Sequence, residues 1–145
     1  MFTKAVFPGK YIQGQGVLSE LPGFIDILAA MKPAPSYDVS FVVPVFNEEE
    51  AIRDFHQQLV EVLDVLPYQV QIFYVDDGSK DRTVVEIEAL AVSDARIVLL
   101  QLSRNFGQQA ALTAGLDQAM ADFVITLDGD GQHPPSLIPE MLRLA

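Results

Sequence analysis

From Ser40 to the end of the chain, short apolar runs alternate with longer segments of helical period. SFVVPVF (Ser40 to Phe46) predicts a first strand, after which Ala51, Ile52, Phe55, Leu59, Val62, Leu63 and Leu66 share one helical stripe. VQIFYV (Val70 to Val75) predicts a second strand. The next helix is carried by Val84, Val85, Ile87 and Leu90, with Asp81 placed to cap it and Ser93 and Asp94 to stop it. RIVLLQL (Arg96 to Leu102) is the third strand. A helix from Gln108 to Met120 is expected to bury Ala111, Leu112, Gly115, Leu116 and Ala119. DFVITLD (Asp122 to Asp128) then reads as a buried fourth strand, and Pro134 and Pro135 suit the start of a helix through Leu137, Ile138, Met141 and Leu142.

Four strand–helix units in succession predict an α/β fold of Rossmann-like type, a mainly parallel sheet with helices on both faces, because each crossover returns right-handed over the sheet. Ligands of such sheets sit beyond the C-terminal strand ends. The polar clusters fall there: Asn47 to Glu50, Asp76 to Lys80, Ser103 to Gln108, and Asp128 to His133. The first 36 residues differ, since Gly9, Gly14, Gly16, Pro22 and Gly23 break any long element and Lys32 to Ser36 form a stiff linker. The expected division is therefore an extension and linker over 1–36 and a domain over 37–145. Gly14 to Gly16 lacks the third glycine of a dinucleotide fingerprint and follows no convincing strand.

Composition narrows the chemistry. Half of the 145 residues are apolar, enough for one domain with a core, and nine Lys and Arg against twenty Asp and Glu leave a formal charge of -11. Nucleic acid and anionic bilayers are thus poor partners for the bulk surface. The absence of cysteine excludes disulfides, thiolate metal sites and a cysteine nucleophile, and suits a reducing compartment. No apolar run reaches the roughly 18 to 20 residues that cross a bilayer, and the N-terminus lacks a signal-peptide layout.

Each cluster admits a plain and a functional reading. In DDGSKDRT (Asp76 to Thr83), a carboxylate at a strand tip accepts hydrogen bonds from a uracil or guanine edge, while an Asx turn and a helix cap account for part of the same residues. In PVFNEEEA, Pro44 removes a ladder donor, Phe46 can flank a base, and Glu48 to Glu50 suit the positive end of a helix. In SRNFGQQAA, Arg104 and the amides opening a helix offer contacts to an anion such as phosphate, against the alternative of a solvated or paired arginine. VITLDGDGQHPP places Asp128 and Asp130 at the end of the fourth strand. Hard oxygen ligands suit Mg²⁺ or Mn²⁺, which take one or two carboxylates, substrate phosphates and water. A calcium loop of EF-hand type fails at His133 and Pro139, and a zinc site on His133 lacks partners because His56 lies on a distant helix. A D-x-D phosphatase is a weaker rival, since here the motif follows the fourth strand and continues into Gly131 and Gln132.

FVVPVFNEEEAI, YVDDGSKDRT, LSRNFGQQAALTAGLDQA and DFVITLDGDGQHPP, in that order, resemble the family-2 glycosyltransferases of GT-A fold, and most of all the branch of dolichyl-phosphate mannose synthases and bacterial polyprenyl-phosphate glycosyltransferases. The resemblance runs from about Val39 to Ala145. It implies that Pro44, Phe46 and Glu48 line the nucleoside pocket and that Val75 and Asp77 bind the base. It further implies that Asp128 and Asp130 form the catalytic, metal-binding D-x-D, with Gly129 and Gln132 against the donor. Phe46 stands where members often carry Tyr, and Gly129 and Gly131 where they commonly carry Ala and Leu.

The implied reaction is an inverting, single-displacement transfer from a UDP- or GDP-sugar to a polyprenyl phosphate, at the cytoplasmic face of the membrane and in cell-envelope glycan biosynthesis. An acceptor already anionic at neutral pH requires no strong general base, and the metal stabilises the departing nucleoside diphosphate. The family's further donor and acceptor residues lie beyond Ala145, as do the membrane elements of many relatives. The expectation from the resemblance is a nucleotide-binding half that binds a nucleotide sugar weakly and turns over little; the alternative is a non-catalytic nucleotide-binding or interaction module. A second similarity, of Phe7 to Ile25 to the N-terminal segment of glycerol dehydrogenases, contains none of that family's metal ligands and implies no activity.

Overall fold

A computed structural model describes residues 2–7, 10–13, 37–129 and 135–144. Its strands are β1 (Phe2–Phe7), β2 (Lys10–Gln13), β3 (Val39–Val45), β4 (Val70–Asp76), β5 (Ile97–Leu102) and β6 (Phe123–Thr126), and its helices α1 (Ile52–Leu63), α2 (Thr83–Ser93), α3 (Gln108–Gln118) and α4 (Ile138–Leu144). They form one sheet in the order β2-β1-β5-β4-β3-β6. The β5-β4-β3-β6 part is parallel, as expected from the alternating units. The β1–β2 hairpin was not expected. It adds antiparallel to β5, with Val6 opposite Leu99 and Ala5 opposite Leu100, so part of the N-terminal segment is hydrogen-bonded to the sheet. Gly14 to Gly16 and the linker over 32–36 lie outside the described residues, as does most of Phe7 to Ile25.

The central strands are buried on both faces, and their period of two sorts side chains into two cores. Phe41, Val43, Val45, Ile72, Tyr74, Ile97 and Leu99 point to one face, where Ile52, Phe55 and Leu59 of α1, Ile87 of α2 and Ile138 of α4 close over them. Val42, Phe73, Val75, Val98 and Leu100 point to the other, against Ala111 and Ala114 of α3. Gly115 lets α3 approach closely, since a Cβ there would collide with Val42 and meet Cγ2 of Val75 at 3.0 Å.

The crossovers through α1 and α2 move away from β3 on one side, while the crossover through α3 carries the chain back past β3 to β6 on the opposite face. The strand order therefore reverses at β3, and in open α/β sheets a crevice opens at that point. Pro44 fits this place in a central strand. The carbonyl of Val42 accepts from the N–H of Leu127, so the main-chain groups of Val42 and Pro44 face β6, whose ladder with β3 ends at the Val42–Thr126 pair. The missing N–H of Pro44 falls just past that end.

β6 corrects one expectation. It is an edge strand among the described residues, and Phe123 is 48% exposed, with Val124 and Thr126 exposed as well; only Ile125 packs partly against the core. α3 ends at Gln118, and Leu116, expected inside, is exposed.

Candidate functional site

The two loops that follow β3 and β4 are laced together by side-chain hydrogen bonds to backbone. The N–H of Asn47 donates to Ser79 Oγ at 2.9 Å, and Asn47 Oδ1 accepts the N–H of Lys80 at 3.0 Å. Glu48 N–H donates to Thr83 Oγ1 at 2.8 Å. Glu49 N–H donates to Asp81 at 3.2 Å, and the Glu49 carboxylate accepts the N–H of Arg82 at 3.2 Å. Asn47 makes the turn with φ of 51°, a left-handed conformation that Asn tolerates better than most residues. Asp81 caps as expected in substance but from one residue further out. Arg82 occupies the N-cap position of α2, while the Asp81 carboxylate accepts both the N–H and the hydroxyl of Thr83. Asp76, fully buried at the tip of β4, accepts the N–H of Ser79 at 3.1 Å; burial pushes its carboxyl above the ordinary range against the pull of that bond.

A third loop, between β5 and α3, is held by Asp77. This residue is buried, its N–H donates to Val45 O at 2.9 Å, and its carboxylate accepts the backbone N–H groups of Phe106 at 2.8 Å and Gly107 at 3.1 Å. Gly78, at φ of 75°, passes so close to this loop that a Cβ would strike the backbone of Arg104 and Asn105. The fourth loop joins through Asp128, whose Oδ1 accepts from Gln108 Nε2 at 3.0 Å. Gly129 lies against the tip of β3, where a Cβ would sit 3.0 Å from Val45 Cγ1.

These four strand ends enclose an open cavity of about 440 Å³. Pro44, Phe46 and Glu48 form one wall, Asp77, Asn105, Gly107 and Gln108 the next, and Asp128 and Gly129 close the third. Phe46 is 43% exposed and presents its ring to this space. Six sequence-predicted residues thus meet in one place: Pro44, Phe46, Glu48, Asp77, Asp128 and Gly129. Val75 does not line the cavity; its side chain is buried under α3. Arg104 does not line it either. Its guanidinium stacks 4.1 Å from the centre of the Phe106 ring and donates to Asn105 O. Asp130 and Gln132 lie outside the described residues. Asn105, Gly107 and Gln108 were named only as part of a polar cluster; their place on the cavity wall follows from the Asp77 tether, which spacing along the chain does not reveal.

The described lining carries the carboxylates of Glu48, Asp77 and Asp128 and neither lysine nor arginine. An anionic ligand entering such a wall needs a counter-cation. Mg²⁺ or Mn²⁺ fits the donor chemistry. Asp128 offers a hard oxygen at the wall, the kind of ligand these ions take alongside phosphate and water.

Residues 40–145 match glycosyl transferase family 2, and the chain belongs to that family. It is 51% identical over 105 residues to a bactoprenol glucosyl transferase of Shigella phage SfV, an alignment covering 72% of this chain and 34% of the relative. An undecaprenyl-phosphate 4-deoxy-4-formamido-L-arabinose transferase of Pseudomonas fluorescens is 41% identical over 116 residues, or 79% of this chain and 34% of the relative. The chain thus spans about a third of the length of these relatives. The mannosyltransferase PcManGT of Pyrobaculum calidifontis, solved with GDP-Man and Mn²⁺, superimposes with a TM-score of 0.57 at 24% identity, over 68% of this chain and 29% of that one. That likeness establishes the shared GT-A fold.

Proposed function

We propose that the cavity binds the nucleoside diphosphate of a sugar donor together with a divalent cation, and that the protein serves inverting transfer of the sugar to a polyprenyl phosphate. The observation that carries this reading is the convergence of Phe46, Asp77 and Asp128 from three strand tips on one cavity whose described lining is acidic. Phe46 offers a flat apolar face to a base, and Asp77 retains lone pairs beyond those used by its two amide partners. Asp128, with Asp130 two residues on, would hold the cation; Gln132 and Gly129 would lie along the donor. Arg104, stacked on Phe106 at the rim, would meet the donor only after leaving that ring.

When bound, the cation neutralises the charge that gathers on the departing diphosphate. The names of the relatives, a bactoprenol glucosyl transferase and an undecaprenyl-phosphate transferase, support a polyprenyl acceptor. Mn²⁺ and GDP-Man in PcManGT support a metal-bound nucleotide sugar. An acceptor phosphate attacks without needing deprotonation, which accords with a cavity wall that carries no histidine among its described residues. Among the described residues, no helix is long and apolar enough to cross a membrane. In this reading the lipid acceptor is met at the cytoplasmic membrane surface. Incubation with radiolabelled UDP-glucose or GDP-mannose, undecaprenyl phosphate and Mn²⁺ tests the transfer: labelled lipid supports it, and a chain that labels no lipid and binds neither nucleotide in Mn²⁺ contradicts it.

A further inference from the structure

We infer that Gln108 is a positioning residue for the metal-binding Asp128, and that Asp77 holds Gln108 in place. The inference rests on the proposed metal–nucleotide site and adds a part that the family resemblance did not assign.

Gln108 is the first residue of α3 and reaches across the cavity wall to a different strand end, where its side-chain nitrogen lies 3.0 Å from Asp128 Oδ1. The orientation of the amide follows from chemistry. An ionised carboxylate only accepts, so the NH₂ group of Gln108, not its oxygen, must face Asp128. One lone pair of Oδ1 is then engaged by the amide. Hydrogen bonds of this kind fix the rotamer of a ligating carboxylate, so that less side-chain freedom is lost when the metal arrives.

The start of α3 is itself fixed from outside the helix. Gly107, at the N-cap position, has φ of 103° and no side chain to cap with. In place of a cap, the Asp77 carboxylate takes the N–H groups of Phe106 and Gly107, the two residues before Gln108. Asp77 is in turn anchored to β3 through Val45 O. Two sets of hydrogen bonds joined by the backbone of residues 106–108 therefore connect Asp77, on the base side of the cavity, to Asp128 on the cation side. Both Asp77 and Gln108 line the same cavity, so a nucleotide drawing on Asp77 acts on the turn that presents Gln108.

The test is Mn²⁺ affinity, read from the electron paramagnetic resonance signal of free Mn²⁺ in the presence of saturating UDP or GDP, for the wild-type 145-residue chain and for Gln108→Leu. Leu keeps most of the volume and removes the donor. The expected result is a loss of roughly 10-fold in Mn²⁺ affinity, the scale on which partners of metal ligands act, with the far-ultraviolet circular dichroism spectrum unchanged. Gln108→Asn, which keeps the amide but is one methylene too short, provides the second variant and is expected to lose affinity similarly. Equal Mn²⁺ affinity in wild type and both variants overturns the inference while leaving the site reading intact. A wild-type chain that takes up no Mn²⁺ with either nucleotide overturns both.

Discussion

The Asp77 carboxylate caps the backbone of Gly107, thirty residues away in sequence, at 3.1 Å, and takes the neighbouring Phe106 N–H at 2.8 Å. A residue expected to read the base thus also builds the wall opposite it. Replacing Asp77 with Ala leaves two amides without their acceptor. Hydrogen bonds to charged groups contribute about 1.5 to 3 kcal/mol, so Asp77→Ala is expected to lower unfolding free energy by about 2 to 3 kcal/mol in urea titrations and to abolish nucleotide binding. Asp77→Asn keeps one acceptor oxygen, and a loss of about half that size is expected.

Gly78 lies in the loop after β4 and Gly129 on the cavity wall, and the structure separates them. Gly78 has a left-handed φ, and its missing Cβ faces the backbone of Arg104 and Asn105, which cannot step aside without moving the loop. Gly78→Ala is expected to cost more than about 2 kcal/mol, because strain and collision add. At Gly129 the nearest atom to an added Cβ is a valine methyl at 3.0 Å. A shift of a few tenths of an ångström relieves it, so Gly129→Ala is expected to change stability by less than about 1 kcal/mol. Thermal denaturation of the two variants side by side checks the contrast.

His56 supplies a pH dependence away from the cavity. Its Nε2 lies 3.1 Å from the partly buried Asp94 and its Nδ1 2.7 Å from the hydroxyl of Tyr74 in the core. Asp94 accepts only, so Nε2 carries the proton and Tyr74 donates to Nδ1. A second proton on Nδ1 would turn the Tyr74 hydroxyl into an acceptor and take from its own proton the partner it had. Burial pushes His56 below its ordinary value of 6.5, outweighing the pull of Asp94. For Asp94 itself burial works upward, but the bonds from Arg96 prevail and keep its carboxyl below the usual range. The folded state therefore binds fewer protons at His56 than the unfolded chain does. Its contribution is complete above pH 6.5 and is lost as pH falls from there toward the depressed folded value, with a slope of at most about 1.4 kcal/mol per pH unit. Stability measured from pH 7.5 to 5.0 is expected to fall in the wild type and to lose most of this slope in His56→Gln. Parallel curves would contradict it.

Much of this was legible along the chain. The strands from β3 to β5 are buried on both faces, so their apolar runs are unbroken, and α1 shows its stripe through Ile52, Phe55 and Leu59. The four strand tips therefore located the cavity before any coordinate did. β1 and β2 were not legible, because FTKAVF and KYIQ, set close to Gly9, Gly14 and Gly16, lack the alternating period that marks a strand. β6 misled in the other direction: Phe123, Val124 and Ile125 are as apolar as a core strand, and composition alone does not say that the strand lies at an edge. Gln108 escaped notice because its partner is Asp128, on another strand end, and a contact across the sheet edge leaves no local spacing to read. The stacking of Arg104 on Phe106 is likewise a contact that composition does not give.

The central claim is that an acidic cavity admits a nucleoside diphosphate only with a divalent cation held at Asp128. Calorimetric titration of the chain with UDP and with GDP, in Mn²⁺ and again in EDTA, tests it most directly. Binding of one nucleotide in Mn²⁺, absent in EDTA and absent in Asp128→Ala, is the predicted result; binding of equal strength in EDTA, or undiminished by Asp128→Ala, would contradict it.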